Sequence, residues 1–145
     1  LFAGVAPFSV VIAKLSKAKK VVSIELGREC NKYAKENVRL NKLNNLEIIQ
    51  GDVKNLKRII KKEKFDYIVM PRPQLKDTFL KYVWNFCKKG SEVFYYDFGK
   101  NPEEILTKVQ EEAKQAKVKI KVENIKKAGE IGPYKYRFRV DFKIN

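Results

Sequence analysis

The sequence predicts an α/β fold, namely a doubly wound, mostly parallel sheet with an antiparallel strand pair at its carboxyl end. Two patterns indicate this fold. Short β-branched runs alternate with segments whose apolar residues recur at helical spacing, which is the order of repeated β-α units. Near the end of the chain, apolar and charged residues alternate strictly, as they do in strands with one covered face. A length of 145 residues suits a single domain that covers residues 1–145.

The first half of the chain contains repeated β-α steps. Residues 1–4 have the character of a strand end that runs into a glycine turn, so we expect the first strand to be truncated. Apolar residues between positions 7 and 16 then share one helical face, and Pro7 suits a first helical turn. The elements predicted next are a strand over residues 20–26, a helix over 28–41, a strand over 46–50 and a basic helix over 53–62.

The second half begins with a strand over residues 65–70, which stops at Pro71-Arg72-Pro73 because proline offers no N–H to a neighbouring strand. Apolar residues at helical spacing predict a helix over 75–88, and Gly90 follows it as a stop signal. Asn101 and Pro102 form the start signal of a further helix. The remaining predicted elements are a strand over residues 92–98, a helix over 102–116, and alternating strands over 118–123 and from 134 onward.

Positive charge dominates the composition, because 32 Lys and Arg residues against 17 acidic residues give a net charge of +15. Such a field attracts polyanions and speeds their association. Lys-rich surfaces are also typical of hyperthermophile proteins, but there Glu rises together with Lys. We therefore expect nucleic-acid binding. Tyr134 and Tyr136 could stack on bases, although their place in an alternating strand favours core packing. The candidate phosphate contacts are Arg72, Lys135, Arg137 and Arg139.

Composition also excludes several kinds of site. The chain has no His, and Cys30 and Cys87 stand apart without a CxxC pair, which excludes a zinc site and a Cys–His nucleophile. We expect both thiols to be buried and reduced. No apolar run approaches the roughly 20 residues that span a bilayer, and residues 1–15 lack the pattern of a signal peptide. These features predict a cytoplasmic protein that binds neither a metal nor a membrane, and we expect it to be a monomer.

Ligands bind outside the carboxyl ends of the strands in such sheets, so the residues that follow each strand are candidate site residues. Gly4 lies between a strand and a helix, where backbone N–H groups can approach a ligand closely. The dinucleotide pattern GxGxxG is absent, which argues against NAD. Glu25 follows about 20 residues later, at the spacing of a carboxylate that accepts hydrogen bonds from both ribose hydroxyls. An ordinary tight turn and a solvated acidic residue are the alternatives at these two positions.

Two further strand ends carry candidates. Asp52 could accept a hydrogen bond from an adenine amino group while Val53 packs on the ring, and Asp52 is equally suited to cap a helix. Pro71 and Pro73 stiffen the backbone around Arg72, which predicts a rigid rim for a flipped target base. The alternative is a loop that only breaks secondary structure.

These four sets of residues, in this order, resemble the class I S-adenosylmethionine-dependent methyltransferases, which share a Rossmann-like fold. More narrowly, the chain is similar to the archaeal and eukaryotic family that methylates N1 of guanine 37 in tRNA, beside the anticodon. The family's D-x-F-A-G-x-G-P opening is matched by Leu1-Phe2-Ala3-Gly4-Val5-Ala6-Pro7, and its KENxxLN pattern by residues 35–41. Tyr95-Tyr96 and the closing residues 141–145 also fit, so the resemblance spans essentially the whole chain.

The resemblance implies S-adenosyl-L-methionine as the cofactor, tRNA as the partner, and N1 of guanine 37 as the acceptor, with a wyosine intermediate as a second acceptor. The implied contacts of the target base are Pro71, Arg72 and Pro73. The implied cofactor contacts are Phe2, Ala3, Gly4, Val5, Ala6 and Pro7 on the methionine side, Glu25 at the ribose with Leu26 beside it, and Asp52 with Val53 at the adenine.

Two departures from the family pattern bear on specificity. Pro71 stands where the family usually has Asn, whose amide could hold the guanine edge, and Ala6 replaces a usual glycine. The resemblance places the general base and a substrate-orienting arginine upstream of the glycine turn, while Asp97 and Glu25 are possible bases by position. Two alternatives stay open: transfer of the aminocarboxypropyl group of the same cofactor, and an RNA-binding module with a decayed cofactor pocket.

Overall fold

The structure, a computed structural model, describes residues 1–145, and the chain divides into two compact units, Leu1–Lys61 and Lys62–Asn145. The single domain predicted from the chain length stays a prediction. None of the helices combines the length and the apolar character needed to cross a membrane.

The first unit alternates helices with parallel strands. Its elements are α1 (Pro7–Leu15), β1 (Val21–Glu25), α2 (Arg28–Leu40), β2 (Leu46–Gln50), a 3-10 helix (Val53–Asn55) and α3 (Leu56–Ile59). Strands β1 and β2 pair in parallel with Glu25 opposite Gln50, so both strands end at the same edge. Ala13 of α1, Ile24 of β1 and Ala34 of α2 are buried in the core of this unit. The fold therefore carries the residues after both strands to one side.

Most of the elements predicted for the first unit are confirmed, but the helix predicted over residues 53–62 is wrong in length. A 3-10 turn takes its first residues, and α3 ends at Ile59. Lys61 adopts a left-handed conformation, with φ +56°. Lys57 and Lys61 would be stacked four residues apart in a continued helix, where like charges destabilise it.

The second unit is a four-stranded sheet with helices. Its elements are β3 (Phe65–Met70), α4 (Leu80–Val83), a 3-10 helix (Trp84–Phe86), β4 (Cys87–Gly99), α5 (Pro102–Gln115), β5 (Ile120–Gly132) and β6 (Lys135–Ile144). The strand order is β3-β4-β6-β5; β3 pairs with β4 in parallel, and the other two pairs are antiparallel. The predicted antiparallel strand pair at the carboxyl end is confirmed.

Helix α5 covers one face of this sheet. Asn101 caps it by accepting a hydrogen bond from the Glu104 N–H over 2.9 Å. Its buried residues recur every four positions and therefore form one stripe along the helix. The stripe consists of Ile105, Val109 and Ala113. The sheet residues on that face include Val93, Tyr95 and Asp97, whereas Phe94, Tyr96, Phe98, Arg137 and Arg139 alternate onto the opposite face.

The helix predicted over residues 75–88 is wrong, because only Leu80–Val83 is α-helical and Cys87 already begins β4. The Asp77 carboxylate accepts a hydrogen bond from the Phe79 N–H over 2.8 Å. Short polar side chains that bond to nearby backbone compete with a helix in this way. Gly90 lies within β4 rather than at a helix end, with φ +86°.

Strand β5 is longer than predicted. The alternation of residues 118–123 suggested a short strand, but β5 continues from Ile120 to Gly132 along β6. Irregularities in the register follow Val122, Lys127 and Glu130. Each irregularity changes which residues of β5 face the core and which face solvent. The alternation of apolar and charged residues therefore stops in the sequence, although β5 stays paired with β6.

Candidate functional site

The Glu25 carboxylate lies at the end of β1 and joins two turns of the first unit. Its Oε2 accepts a hydrogen bond from the Gly4 N–H and its Oε1 accepts one from the Gly27 N–H, each over 2.9 Å. These two bonds fix the orientation of the carboxylate. A carboxylate has about four lone-pair positions, so two remain for the hydroxyl groups of a ligand.

The turn before α1 leaves open space beside its backbone. Gly4 has φ +55°, and a Cβ built on it would meet nothing within 4 Å. The Ala3 N–H donates to the Ile24 carbonyl over 3.2 Å, which ties the turn to β1. Ala6, which replaces a glycine of the family pattern, is fully buried and adopts φ +65°. The turn thus keeps the left-handed shape that a glycine would give, at a cost of about 1–2 kcal/mol for the alanine.

The end of β2 lies next to the end of β1, which also holds the Gly4 turn through Glu25. The Gly51 N–H donates to the Glu25 carbonyl over 2.9 Å, so the residue before Asp52 contacts the end of β1. Asp52 caps the 3-10 helix, because its Oδ1 accepts from the Lys54 N–H over 2.9 Å, and its second oxygen is a further acceptor. Val53 is buried beside it. The structure therefore brings Gly4, Glu25 and the Gly51-Asp52 turn together.

Two asparagines of α2 support the same edge. The buried Asn31 donates from Nδ2 to the carbonyls of Glu25 over 2.8 Å and Gly27 over 2.7 Å. Asn37, which belongs to the matched KENxxLN pattern, donates to the Val5 carbonyl over 2.9 Å. Sequence reasoning assigned no role to Asn31; an amide in the first turn of a helix after a candidate acid was the only signal. Both residues hold the turns that carry the candidate ligand contacts.

The fit of an adenosyl ligand to this edge rests on these atoms. Fixed carboxylate acceptors suit ribose hydroxyls, open backbone suits a close approach, and an acceptor beside a buried apolar side chain suits an adenine ring. Of the other predicted cofactor contacts, Phe2 and Pro7 flank the turn, and the side chain of Leu26 is largely exposed.

Arg72, in the second unit, was predicted to contact phosphates, but its side chain is buried. Its side chain is 2% exposed, and its guanidinium donates to Tyr95, to Asp97 and to two backbone carbonyls. Burial lowers the pKa of Arg72, but the hydrogen bonds and charges of Asp97 and Tyr95 outweigh it and raise the pKa above its ordinary value. Burial also raises the pKa of Tyr95, and the neighbouring Asp97 adds to this. In this geometry Arg72 is an internal residue rather than a surface cation.

Asp97, one of the two possible bases, is equally engaged. Its Oδ1 accepts from Arg72 and from the Phe98 N–H over 2.6 Å, and its Oδ2 accepts from the Tyr95 hydroxyl over 3.0 Å. The ammonium of Lys108 lies 3.8 Å from Oδ2. With these donors in place, the carboxylate has no lone pair directed at a substrate, so it is poorly suited to act as a base.

The other candidate phosphate contacts lie on or near β6. Arg137 lies with its guanidinium carbon 4.8 Å from the Tyr96 ring centroid, and Arg139 donates to Asp141 over 2.7 Å. The hydrogen bond to Asp141 raises the pKa of Arg139 despite burial. Lys135 is exposed at the start of the strand. These three cations therefore share one strand with aromatic neighbours.

The predicted core packing of Tyr134 is wrong, whereas Tyr136 is half-buried. Tyr134 is 78% exposed, because it occupies the turn between β5 and β6 with φ +56° instead of the alternating strand. Tyr136 packs edge-on against Phe138 at 6.1 Å, and the Lys127 ammonium lies 3.8 Å from its ring centroid. The turn thus presents an aromatic ring beside basic residues.

Comparison with known proteins gives consistent matches along the chain. Residues 1–122 match the TRM5/TYW2 methyltransferase domain. The tRNA (guanine(37)-N(1))-methyltransferase Trm5b of Pyrococcus abyssi is 31% identical over the whole chain, which covers 43% of Trm5b. The tRNA 4-demethylwyosine(37)-methyltransferase Taw21 of Saccharolobus solfataricus is 30% identical over the whole chain, which covers 53% of Taw21. The chain therefore spans about half the length of these curated relatives.

Solved structures agree with the sequence matches. The crystal structure of P. abyssi Trm5b superposes on 99% of this chain with a TM-score of 0.87 and 30% identity, over 42% of its own length. M. jannaschii TYW2 in complex with AdoMet superposes on 99% of the chain with a TM-score of 0.85 and 25% identity, over 67% of its length. These neighbours confirm the predicted Rossmann-like class I fold, and S-adenosylmethionine is the cofactor of the family. The chain belongs to the TRM5/TYW2 methyltransferase domain family.

Proposed function

We propose that this chain is the S-adenosylmethionine-binding catalytic part of a tRNA methyltransferase that modifies N1 of guanine 37, with a wyosine intermediate as a second acceptor. The observation that carries the proposal is the Glu25 carboxylate, held between the N–H groups of Gly4 and Gly27 beside open backbone. The similarity to Trm5b supports the guanine acceptor, and the similarity to Taw21 supports the second acceptor.

The residues of the first unit have distinct roles in this proposal. Glu25 accepts hydrogen bonds from the ribose hydroxyls, and Asp52 accepts one from the adenine amino group while Val53 packs on the ring. Residues 2–7 line the methionine side, with Gly4 allowing the close approach, and Leu26 lies beside the ribose. When bound, the cofactor supplies an electrophilic methyl group on a sulfonium. Fixing the ribose and the adenine holds that group in place, and alignment can account for much of the rate of such a transfer.

The proposed site for the target base is based on the resemblance to the methyltransferase family. We propose that Pro71, Arg72 and Pro73 form the rim that receives the target base. Methyl transfer to N1 releases a proton, which calls for a general base. Glu25 and Asp97 are both held in hydrogen bonds, and neither is assigned this role.

The basic surface supports tRNA as the partner. The net charge of +15 favours association with a polyanion, and Lys135, Arg137 and Arg139 would neutralise phosphates along β6. Arg137 and Arg139 lie near aromatic rings, and the exposed ring of Tyr134 could stack on an unpaired base. A cytoplasmic monomer is the proposed form of the protein.

Transfer of the aminocarboxypropyl group is the second candidate function. It is favoured by the similarity to the tRNA(Phe) (4-demethylwyosine(37)-C(7)) aminocarboxypropyltransferase of Methanocaldococcus jannaschii, which is 32% identical over 67% of this chain. Incubating the full-length protein with tRNA and S-adenosylmethionine, followed by mass analysis of the nucleosides, separates the candidates. One added methyl group at guanine 37 supports the proposal, whereas the larger adduct alone contradicts it. Absence of cofactor binding by calorimetry up to millimolar concentration would instead favour an RNA-binding module with a decayed pocket.

A further inference from the structure

Arg72 is a buried arginine in the second unit whose side chain shapes its own loop. Its Nη1 donates to the Pro73 carbonyl over 3.0 Å and to the Leu75 carbonyl over 3.1 Å. Pro71 and Pro73 have no N–H, so this segment has fewer backbone donors with which to close a turn. One guanidinium therefore supplies hydrogen bonds that the loop backbone lacks.

The guanidinium is itself held by β4, one of the two inner strands of the sheet. Its Nε donates to the Tyr95 hydroxyl over 3.1 Å and its Nη2 donates to Asp97. The Tyr95 hydroxyl in turn donates to the Asp97 carboxylate over 3.0 Å. Tyr95 and Asp97 are two residues apart on β4 and face the side that α5 covers, where both are buried. The three side chains form a closed network that uses four of the five guanidinium N–H groups.

The chemistry of this network points to a positional role. A buried ion pair is a weak source of stability, and well-packed apolar residues of similar size are often as good. The planar fork of arginine, unlike the point charge of lysine, donates in several fixed directions at once. Here two of those directions go to loop carbonyls and two go to the strand, so the fork links the loop to the sheet.

We propose that Arg72 is a positioning residue that holds the loop of residues 71–75 in one shape, with Tyr95 and Asp97 as its supports. The proposal rests on the proposed function, in which this loop forms the rim for the target base. Arg72 then acts through the backbone of the loop and touches neither the phosphates nor the base.

The test compares Tyr95→Phe with a matched control, Lys108→Gln, in the full-length protein. Tyr95→Phe keeps the ring and removes the one hydroxyl that bonds to both Arg72 and Asp97. Lys108 also lies beside the Asp97 carboxylate, at 3.8 Å, but it is partly exposed and does not contact the loop. Arg72→Lys is a third variant, which keeps the charge and removes the fork.

The rate of tryptic cleavage after Lys76, the exposed residue that follows the loop, reports how firmly the loop is held, and mass spectrometry reads it. We expect Tyr95→Phe to raise that rate about tenfold, the effect of losing a hydrogen bond to a charged group, and Lys108→Gln to leave it unchanged. In methyl transfer, kcat should fall about tenfold or more while the KM for the cofactor stays within about twofold. Arg72→Lys should show the same pattern and should not restore the rate.

The outcomes separate the two proposals. An unchanged rate of cleavage after Lys76 in Tyr95→Phe would overturn the positioning role, as would an active wild type with an equally active and folded Tyr95→Phe variant. A wild type that binds S-adenosylmethionine but modifies no tRNA would overturn the proposed function, and with it the role of this loop in the reaction.

Discussion

Replacing Glu25 with Gln changes the central contact of the candidate site with little change in volume. In the structure the carboxylate accepts one 2.9 Å hydrogen bond from Gly4 and one from Gly27. Glutamine keeps one oxygen, and its NH₂ group would face the other N–H, so one bond is lost and one donor is left without a partner. Hydrogen bonds to charged groups contribute about 1.5–3 kcal/mol, so the free energy of unfolding should fall by a similar amount.

Cofactor binding should fall as well, because a ribose hydroxyl loses a charged acceptor. A loss of about 1.5–3 kcal/mol corresponds to a Kd about 10- to 150-fold higher. Calorimetry with S-adenosylhomocysteine measures this change, and urea unfolding measures the change in stability. Glu47→Gln is the control: Glu47 lies on β2 in an exposed pair with Lys20 at 3.8 Å, so its loss should cost less than about 1 kcal/mol. Equal affinities of the two variants would refute the assignment of Glu25 to the ribose.

Three further predictions concern stability and reactivity. Tyr134→Asn should stabilise the protein by about 0.5–1 kcal/mol in urea, because Asn tolerates the left-handed turn conformation better than Tyr; a loss of stability would contradict this. Asn101→Ala should destabilise by about 1 kcal/mol through loss of the cap of α5, and an unchanged urea midpoint would count against that cap. The expectation that both thiols are buried is wrong for Cys30, which is only partly buried, whereas burial raises the pKa of Cys87 to about 11. At pH 8 iodoacetamide should therefore label Cys30 and spare Cys87. Because the folded pKa of Cys87 exceeds its unfolded pKa, the stabilisation from this thiol is present below the unfolded pKa and is lost as pH rises towards 11. Equal labelling of both thiols, read by mass spectrometry, would contradict the last prediction.

The sequence predicted the edge of the first unit well because its signals are local. Gly4 lies just before α1 and Glu25 ends β1, and the spacing of apolar residues shows the type of both elements. The parallel strands β1 and β2 end at one edge. The order of the elements therefore sufficed to place their strand ends together. The bonds from Gly4 and Gly27 to Glu25 add a detail that spacing alone does not contain.

The second unit was predicted less well because long-range contacts decide its structure. Arg72 was expected on the surface, since a charged residue between prolines has no local reason to be buried. Its partners Tyr95 and Asp97 lie on β4, more than 20 positions along the chain, and only the pairing of β3 with β4 brings them close. The prediction for Tyr134 was wrong for a local reason. The alternation of apolar and charged residues begins at Tyr134 in the sequence, but Tyr134 is a turn residue with φ +56° and the strand begins after it.

The central claim is that Gly4, Glu25 and the Gly51-Asp52 turn form one adenosyl-binding edge. Titrating the ¹⁵N-labelled full-length protein with S-adenosylmethionine tests it most directly, through the amide resonances of Gly4, Gly27 and Gly51. We expect all three to shift together and to saturate at one equivalent of cofactor. Saturable binding that leaves these three amides unshifted would contradict the account.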